Sequence, residues 1–372
     1  MNTIIKNFSL FKIVILIYLV ILGGCKRYGN SSADNNISGE TSANEAGGDL
    51  NEANGVQFDG ASMESHEECG DTAVSQPTNK PTGFEFPREQ WQTTDPASVG
   101  FTQEMIDKAL SGLKEGRTNC ALIVKDGKIV GSFDKDKVGS GYSTGKSVLS
   151  AAIGIAFTQG HLTMDQKGPS HSIREHLQQK LGSSPWKYEA VDGQTNALKI
   201  LDTYTPGGST QFVQNELLTP LGMTQTKFGG GILGDSFYET SCSDLGRFGL
   251  LMQTGGTWDG KELINSEFWD MATEPVEGNA AYGFLFWLNG DGPWSSSTGA
   301  FIKRNRNKPL EGAPDNLVYA KGFRGQVVMA FPSEKLVVVR MGSNSIIEIE
   351  SMPQVYKIWD AIKPLYDASV RN

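Results

Sequence analysis

The pattern of apolar and polar positions beyond about residue 81 predicts a helix followed by a β-hairpin. Thr102 can cap a helix whose apolar residues recur on one side. Two β-rich runs come next, Cys120–Val124 and Lys128–Phe133, and the Asp126-Gly127 pair between them is a strong hairpin signal. The apolar residues of the predicted helix are Met105, Ile106, Ala109, Leu110 and Leu113.

A second helix is predicted from Ser143 to about Gln159. Its apolar side chains surround the helix axis instead of forming one stripe, which is typical of a buried helix. These side chains are Val148, Leu149, Ala151, Ala152, Ile153, Ile155, Ala156 and Phe157.

The end of the chain also predicts two strands and a helix, in the opposite order to its beginning. Gln326–Phe331 and Leu336–Met341 read as paired strands, and a helix from about Pro353 to Ala368 follows. We therefore expect an α+β fold with an antiparallel sheet flanked by N- and C-terminal helices. The segment from Ser143 to roughly Gly290 would supply a mainly helical lobe.

Residues 1–25 read as an export signal. Lys6 and Lys12 precede the ten apolar residues Ile13–Leu22, and a membrane-spanning helix needs roughly 20. The sequence Leu22-Gly23-Gly24-Cys25 resembles the lipobox of bacterial lipoproteins, which implies lipidation of Cys25 and a location in the bacterial cell envelope, facing the periplasm or the exterior. An ordinary signal peptide or an uncleaved anchor is the alternative.

Residues 26–85 differ in composition from the rest of the chain, and we expect them to form a disordered acidic tether. Ten acidic and three basic residues lie between Lys26 and Lys80, against a formal charge of −9 for all 372 residues. Large apolar side chains are sparse there, so the segment cannot bury enough surface to offset its ordering entropy. The predicted domain, residues 86–372, is near neutral, and no basic patch indicates a nucleic-acid partner.

Cysteine positions leave the disulfide pairing open. With Cys25 assigned to lipid, Cys69, Cys120 and Cys242 remain, and no spacing among them resembles a metal site. One disulfide can form after export, although free buried thiols are an equally ordinary outcome.

The segment Gly139–Ser147 holds a serine and a lysine three positions apart, Ser143 and Lys146. Residues at this spacing share one face of a helix, which brings the amine to the hydroxyl. A serine hydroxyl is a weak nucleophile and needs an adjacent base, and a lysine in apolar surroundings can serve because burial disfavours its charged form. The alternative is that Ser143 only caps the helix and Lys146 is solvated.

Two other motifs overlap the same residues. Gly141-x-Ser143-x-Gly145 matches a nucleophile elbow, but that arrangement needs a histidine late in the chain. The histidines are His66, His161, His171 and His176, all in the first half. A phosphate-binding loop would need glycine at Ser140, so this third interpretation is the weakest.

From about Trp91 onwards the sequence resembles the β-lactamase-related serine hydrolases, which include class C β-lactamases, penicillin-binding esterases and 6-aminohexanoate-dimer hydrolases. Four segments in the family's order carry the resemblance. They are Tyr142–Gly154 (the nucleophile helix), Ser243–Gly260 (Asp-Leu-x-Arg-Phe-Gly and its turn), Ala281–Leu288 (the Tyr-Gly-x-x-Trp strand) and Tyr319–Gln326 with the strands after it.

The resemblance implies roles for individual residues. Ser143 matches the acylated serine, Lys146 the lysine base, and Tyr188 the tyrosine that shuttles a proton with the lysine; Tyr204 is a poorer match. In the third motif, Lys321 and Gly322 replace the usual Lys-Thr-Gly, with the second oxyanion N–H expected near Gly325 or Gln326. Lys321 is as readily interpreted as a surface lysine, and Tyr188 as a half-buried aromatic residue.

One departure from the family concerns the distance between the nucleophile and the tyrosine. Only 45 positions separate Ser143 from Tyr188, markedly fewer than in the family, whose segment includes a helical stretch and an active-site loop. Ser172–Leu177 would be what remains of the family's Ile-Arg-His-Leu-Leu element. Two hypotheses follow: a serine hydrolase of ester or amide bonds with a small-molecule or peptide substrate, or an inactive surface lipoprotein that binds a peptide or cell-wall fragment. Neither implies a metal or an organic cofactor.

Overall fold

The computed structural model describes residues 84–168, 170–183, 185–189, 192–229, 238–296, 307–342 and 352–371. The predicted signal peptide, Cys25, Cys69 and all but the last two residues of the predicted tether lie outside this part of the chain. The helices are α1 (Gln103–Lys114), α2 (Thr144–Thr158), α3 (Ile173–Gln178), α4 (Asp192–Tyr204), α5 (Gly208–Phe212, continued by a π-helical turn over Val213–Leu218), α6 (Thr219–Leu221), α7 (Cys242–Gln253), α8 (Ser266–Thr273) and α9 (Met352–Arg371). The strands are β1 (Thr118–Lys125), β2 (Lys128–Phe133), β3 (Gly139–Ser140), β4 (Lys227–Phe228), β5 (Tyr238–Thr240), β6 (Thr257–Trp258), β7 (Lys261–Glu262), β8 (Trp287–Leu288), β9 (Val318–Gly322), β10 (Gln326–Phe331) and β11 (Leu336–Gly342).

Within the described residues, six strands form an antiparallel sheet in the order β2-β1-β11-β10-β9-β8. The two ends of the chain meet at its centre, because β1 pairs with β11 along its length, with Leu122 opposite Val339. The predicted hairpins are confirmed, and the left-handed Asp126 and Gly127 close the β1–β2 turn. The predicted α+β fold is therefore confirmed.

Helices cover both faces of the sheet. Glycines bring them close: an added Cβ at Gly131 would lie 2.5 Å from Ile106 of α1, and one at Gly246 of α7 would lie 2.4 Å from Leu122. Gly131 pairs with Ile123, and adjacent residues of a strand point to opposite faces, so α1 and α7 lie on opposite sides. The terminal helix α9 packs beside α1, where a Cβ at Gly112 would meet Ala361 at 2.6 Å.

The core begins slightly before Phe86. The Phe84 side chain is buried and its ring centroid lies 4.9 Å from that of Phe86, while Glu85 N donates a hydrogen bond to Asp126 O. Phe84, two residues before the predicted domain start, therefore already belongs to the core.

The helix α2 is buried over almost its whole length, as its apolar pattern predicted. The segment Ala281–Leu288 differs from the expected strand, because only Trp287–Leu288 is extended and Tyr282 pairs back onto Trp287 in an isolated bridge. Leu285 adopts a left-handed φ of 58° at this reversal. The apolar run thus folds into a tight turn instead of extending the sheet.

The structure contains a disulfide between Cys120 and Cys242, both fully buried. It ties the central strand β1 to the first residue of α7, across 122 positions of sequence. A crosslink of this span removes much of the entropy of the unfolded chain, worth about 5 kcal/mol on a chain-entropy estimate.

A search of the described residues for a helix that is both long and apolar enough to cross a bilayer finds none.

Candidate active site

Ser143 lies at the start of α2, after a turn that two short strands hold in place. β3 pairs with β5 through Gly139 and Ser140, and Gly141 N donates to Tyr238 O at 3.0 Å. A side chain at Gly141 would clash with the Tyr238 ring, since an added Cβ would lie 2.3 Å from it. Tyr142 then adopts a left-handed φ of 47°, a strained conformation for a residue with a side chain. The chain turns sharply into the helix at Ser143.

The Ser143 hydroxyl and the Lys146 amine form a direct hydrogen bond. Lys146 Nζ donates to Ser143 Oγ at 3.0 Å, and Lys146 is only 5% exposed. Although Ser143 occupies the N-cap position, its side chain makes no capping hydrogen bond. The alternative of a capping serine beside a solvated lysine therefore does not describe this site.

An aromatic wall stands beside the amine. The half-buried Tyr188 ring has its centroid 5.6 Å from Lys146 Nζ and 5.8 Å from the Trp287 ring. Trp287 is the second ring of this wall, and Lys321 Nζ lies 3.9 Å from the centroid of the Trp287 ring. Tyr188 thus lies between Lys146 and Trp287, and Trp287, which the sequence analysis did not single out, lies between Tyr188 and Lys321. Its position in the Tyr-Gly-x-x-Trp segment was the available signal.

Tyr188 belongs to an irregular segment between α3 and α4. Glu189 N donates to Gln179 Oε1 at 2.7 Å, and Trp186 Nε1 donates to Gln178 O at 2.9 Å. Tyr282 also contacts Tyr188, with ring centroids 6.1 Å apart. Burial raises the pKa of the Tyr282 phenol well above its ordinary value, and the Tyr188 phenol beside it raises that pKa further.

The end of β9 touches the turn before Ser143 at Gly322. A Cβ added there would lie 2.8 Å from Gly141 O and 3.1 Å from Ser143 N. The next residue, Phe323, places its ring centroid 5.6 Å from that of Tyr142. This edge of the site therefore requires a residue without a side chain, and it brings the backbone after β9 next to Ser143.

Gly325 and Gln326 close the β9–β10 turn. The buried Gln326 side chain accepts from Gly342 N at 2.8 Å and donates to Gly342 O, and Gly325 O accepts from Arg340 Nη1 at 2.7 Å. Gln326 also pairs with Gly322 in the sheet. Of the third-motif residues, Gly322 is thus the one shown in contact with the turn before Ser143. Gly325 and Gln326 instead stabilise the β9–β10 turn.

The Asp-Leu-x-Arg-Phe-Gly segment of α7 has a different role. The Arg247 guanidinium donates to the carbonyl oxygens of Pro87, Arg88 and Leu221 at 2.7–2.9 Å. Burial raises the pKa of the Asp244 carboxyl, which also accepts hydrogen bonds from Gln225 N and Thr226 Oγ1. These contacts fasten the N-terminal segment to the helical lobe, which makes the motif a structural one.

No protein-family model matches the chain, and none of the curated proteins matches it. Solved structures share its fold. A β-lactamase from Mycobacterium bovis is 16% identical over 69% of this chain and 99% of its own, with a TM-score of 0.54. A penicillin-binding protein homolog from Caulobacter crescentus is 13% identical over 75% of this chain and 99% of its own, with a TM-score of 0.55. A family VIII carboxylesterase is 11% identical over 74% of this chain and 99% of its own, also with a TM-score of 0.55.

Proposed function

We propose that the protein is a serine hydrolase that cleaves ester or amide bonds through an acyl-enzyme on Ser143. The observation that carries this proposal is the 3.0 Å hydrogen bond between Lys146 Nζ and Ser143 Oγ with the amine buried. The shared fold of a β-lactamase, a penicillin-binding protein homolog and a carboxylesterase supports the same reaction class.

The reaction begins with proton transfer. Neutral Lys146, with Tyr188 beside it, takes the Ser143 proton as Oγ attacks the substrate carbonyl carbon. The carbonyl π electrons move to its oxygen, and the tetrahedral adduct collapses as the C–O or C–N bond to the leaving group breaks. The leaving group takes its proton from Tyr188 or Lys146. Water then attacks the acyl-enzyme with Lys146 or Tyr188 as base, which frees the acid and restores the Ser143 hydroxyl.

The negative charge on the carbonyl oxygen needs two donors. Ser143 N–H at the start of α2 is one, since the first N–H groups of a helix have no partner inside it. We place the second at Phe323 N–H, because Phe323 directly follows Gly322, which packs against Gly141 O and Ser143 N. Each such donor lowers the barrier by about 3 kcal/mol.

The test is covalent labelling. Wild-type protein is expected to react with a fluorophosphonate probe and to show a burst with 4-nitrophenyl acetate or nitrocefin, whereas Ser143→Ala should do neither. Ser140→Ala is the matched control, because Ser140 lies in β3, three residues before Ser143, and its hydroxyl accepts a hydrogen bond from Tyr142 N at 3.4 Å. Labelling that persists in Ser143→Ala would reject Ser143 as nucleophile. A wild-type protein that neither labels nor turns over any ester, amide or β-lactam would favour the alternative of an inactive, peptide-binding lipoprotein.

We also propose that Cys25 is lipidated and anchors the protein in the cell envelope, by the resemblance of Leu22–Cys25 to a lipobox. Intact-mass spectrometry of the protein from its membrane fraction should show loss of residues 1–24 and acylation of Cys25. A mass that retains Met1 would exclude it.

A further inference from the structure

A three-stranded sheet of very short strands holds the turn before Ser143. β3 and β4 are two residues long and β5 is three, and Gly139 and Ser140 of β3 pair with Thr240 and Glu239 of β5. A sheet this small makes too few backbone hydrogen bonds to be stable by itself. The position of the turn therefore depends on what attaches this small sheet to the rest of the fold.

The turn itself is strained, so it needs firm support. Tyr142 has a left-handed φ of 47°, which a residue with a side chain adopts only where the surrounding structure enforces it. The support comes from β5, because Gly141 N donates to Tyr238 O at 3.0 Å and the Tyr238 ring packs against Gly141 and Gly145. Any movement of β5 is therefore transmitted to Ser143, the next residue after Tyr142.

The Cys120–Cys242 disulfide attaches β5 to the six-stranded sheet. β5 ends at Thr240, and Cys242 follows two residues later as the first residue of α7. Its partner Cys120 lies in β1, which pairs with β2 on one side and with β11 on the other. The end of β5 is thus joined, through two residues of chain and one covalent bond, to an interior strand of the large sheet.

The same disulfide borders the segment that leads into β3. Lys137 O lies 4.0 Å from Cys120 Sγ, and β3 begins two residues later. Ser243, directly after Cys242, donates from its backbone N to Lys135 O at 2.9 Å. Both strands on which the turn depends are therefore fixed beside one fully buried crosslink.

We infer that the Cys120–Cys242 disulfide positions Ser143 for catalysis, so that the protein is fully active only in its oxidised form. This inference rests on the proposed function and adds a redox condition to it. Thiols stay reduced in a cytosol and form disulfides in oxidising compartments, so the chain acquires full activity only in an oxidising compartment.

Loss of the crosslink displaces Ser143 without separating it from its base. Ser143 and Lys146 remain together, because one helix holds both. β5 is released, Tyr142 relaxes from its left-handed conformation, and Ser143 Oγ and N–H move relative to the end of β9 at Gly322. Such a displacement slows attack on the carbonyl carbon and weakens the oxyanion contacts, while substrate binding changes little.

Reversible reduction is the first test. Tris(2-carboxyethyl)phosphine and water convert the disulfide to two thiols and the phosphine to its oxide. Glutathione disulfide reverses the change: it takes up the two electrons and two protons of the thiols and leaves as two glutathione thiols. Mild urea, removed before the assay, gives the reagents access to the buried bond, and oxidised protein carried through the same urea step is the control.

The readout is the acylation burst with 4-nitrophenyl acetate. Its rate constant should fall by about 10-fold or more on reduction, with the half-saturating ester concentration nearly unchanged, and reoxidation should restore it. Reduced protein that acylates as fast as the oxidised protein would overturn the inference.

Cysteine variants separate positioning from stability. Cys120→Ala/Cys242→Ala should show the same slow acylation and should not respond to the phosphine. Leu113→Ala is the matched control, because this fully buried residue lies in α1, on the opposite side of the sheet from α7, and its loss destabilises the fold without touching the turn. Below its melting temperature, Leu113→Ala should therefore acylate like the wild type.

Two outcomes for the double cysteine variant would reject positioning. Acylation at the wild-type rate in the folded variant would mean that the disulfide contributes only stability. A variant that stays unfolded even in sucrose, which favours the compact state, would mean that the disulfide supports the whole fold and not the turn in particular.

Hydrogen exchange separates this inference from the proposed function, because it needs no turnover. The Gly141 amide, bonded to Tyr238 O, should lose about 10-fold or more of its protection on reduction, while the amides of α2 keep theirs. This result in a protein that hydrolyses nothing would reject the proposed function and still support the positioning role. Unchanged Gly141 protection together with unchanged acylation would reject the inference and leave the proposed function standing.

Discussion

The two walls of the site around Ser143 are built in different ways. On one side, the buried helix α2 carries Ser143 and Lys146. Thr144 Oγ1 donates to Gly141 O and Ser147 Oγ to Leu285 O, both at 2.8 Å, and of the buried hydroxyls on this helix Ser150 Oγ lacks a partner. On the other side, α3, α4 and the segment between them carry Tyr188. There, both ring nitrogens of the fully buried His176 lack partners, as do Gln179 Nε2 and Thr195 Oγ1.

The two walls differ because the position of Ser143 relative to Lys146 is fixed within one helix, whereas the position of Tyr188 depends on contacts with distant parts of the chain. The hydroxyl and the amine meet because residues three apart on a helix share a face, so any structure that forms α2 forms the pair. The phenol meets them only through ring contacts with Tyr282 and Trp287, from a turn about 100 residues later in the chain. We therefore expect changes on the nucleophile wall to cost more activity than changes on the tyrosine wall.

The largest effect should come from Lys146→Met. Methionine fills a similar volume and can remain in the buried position, but it offers no base for the Ser143 proton. We expect kcat/KM for 4-nitrophenyl acetate to fall by about 10³-fold or more, with the fold intact by circular dichroism.

The surface substitution Lys187→Met, next to Tyr188, is the control for loss of a nearby positive charge and should leave the rate close to that of the wild type. If Lys146→Met retains more than a tenth of the activity, the helical pair is not the catalytic unit.

Tyr188→Phe should have the second-largest effect. It keeps the ring contacts with Trp287 and Tyr282 and removes only the phenol, so a loss of about 10²-fold in kcat/KM would report proton transfer instead of packing. Tyr204→Phe is the matched control, because Tyr204 is exposed and its phenol oxygen accepts from Gln166 Nε2. An equal loss in both variants, or in neither, would remove Tyr188 from the mechanism.

The sequence predicted the scaffold and the nucleophile wall because their signals are local. The hairpins, the capped α1 and the buried α2 each follow from a pattern within about 20 residues, and the structure has them all. The Asp-Gly turn and the Ser-x-x-Lys spacing fix their geometry without help from the rest of the chain.

The tyrosine wall and the β9–β10 turn were harder to predict because no local pattern determines them. Trp287 reaches Tyr188 only because the chain reverses at Leu285, and the β9–β10 turn presents Arg324 because Arg340, sixteen residues later, holds its carbonyl oxygen. The disulfide between Cys120 and Cys242 likewise depends on α7 crossing β1, which cysteine spacing alone could not show. Such contacts arise from the tertiary fold.

Gly322→Ala tests where the two walls meet. The added methyl group would lie 2.8 Å from Gly141 O and 3.1 Å from Ser143 N, so the β9 end and the nucleophile turn must separate by several tenths of an ångström. We expect kcat/KM to fall by about 10-fold, mostly in kcat, because the oxyanion donors move relative to Oγ. Gly139→Ala is the control in the same turn, since nothing lies within 3.9 Å of its added Cβ. Equal activity of the two variants would argue against a donor at the end of β9.

The smallest effect concerns how the stability of the tyrosine wall depends on pH. Burial lowers the pKa of His176 from its ordinary value of 6.5, the nearby His171 lowers that pKa further, and Glu175 opposes both. Above pH 6.5 the ring is neutral in the folded and unfolded chain, and its contribution to stability is complete. As the pH falls below 6.5, the unfolded chain binds the proton more readily, so the free energy of unfolding decreases until the pH passes below the folded-state pKa. Hydrogen exchange should therefore give lower protection factors for the amides of Ile173–Gln178 at pH 5 than at pH 8, while the protection factors of the α2 amides stay high at both. His176→Phe should flatten this dependence, and a variant as sensitive to acid as the wild type would show that another group is responsible.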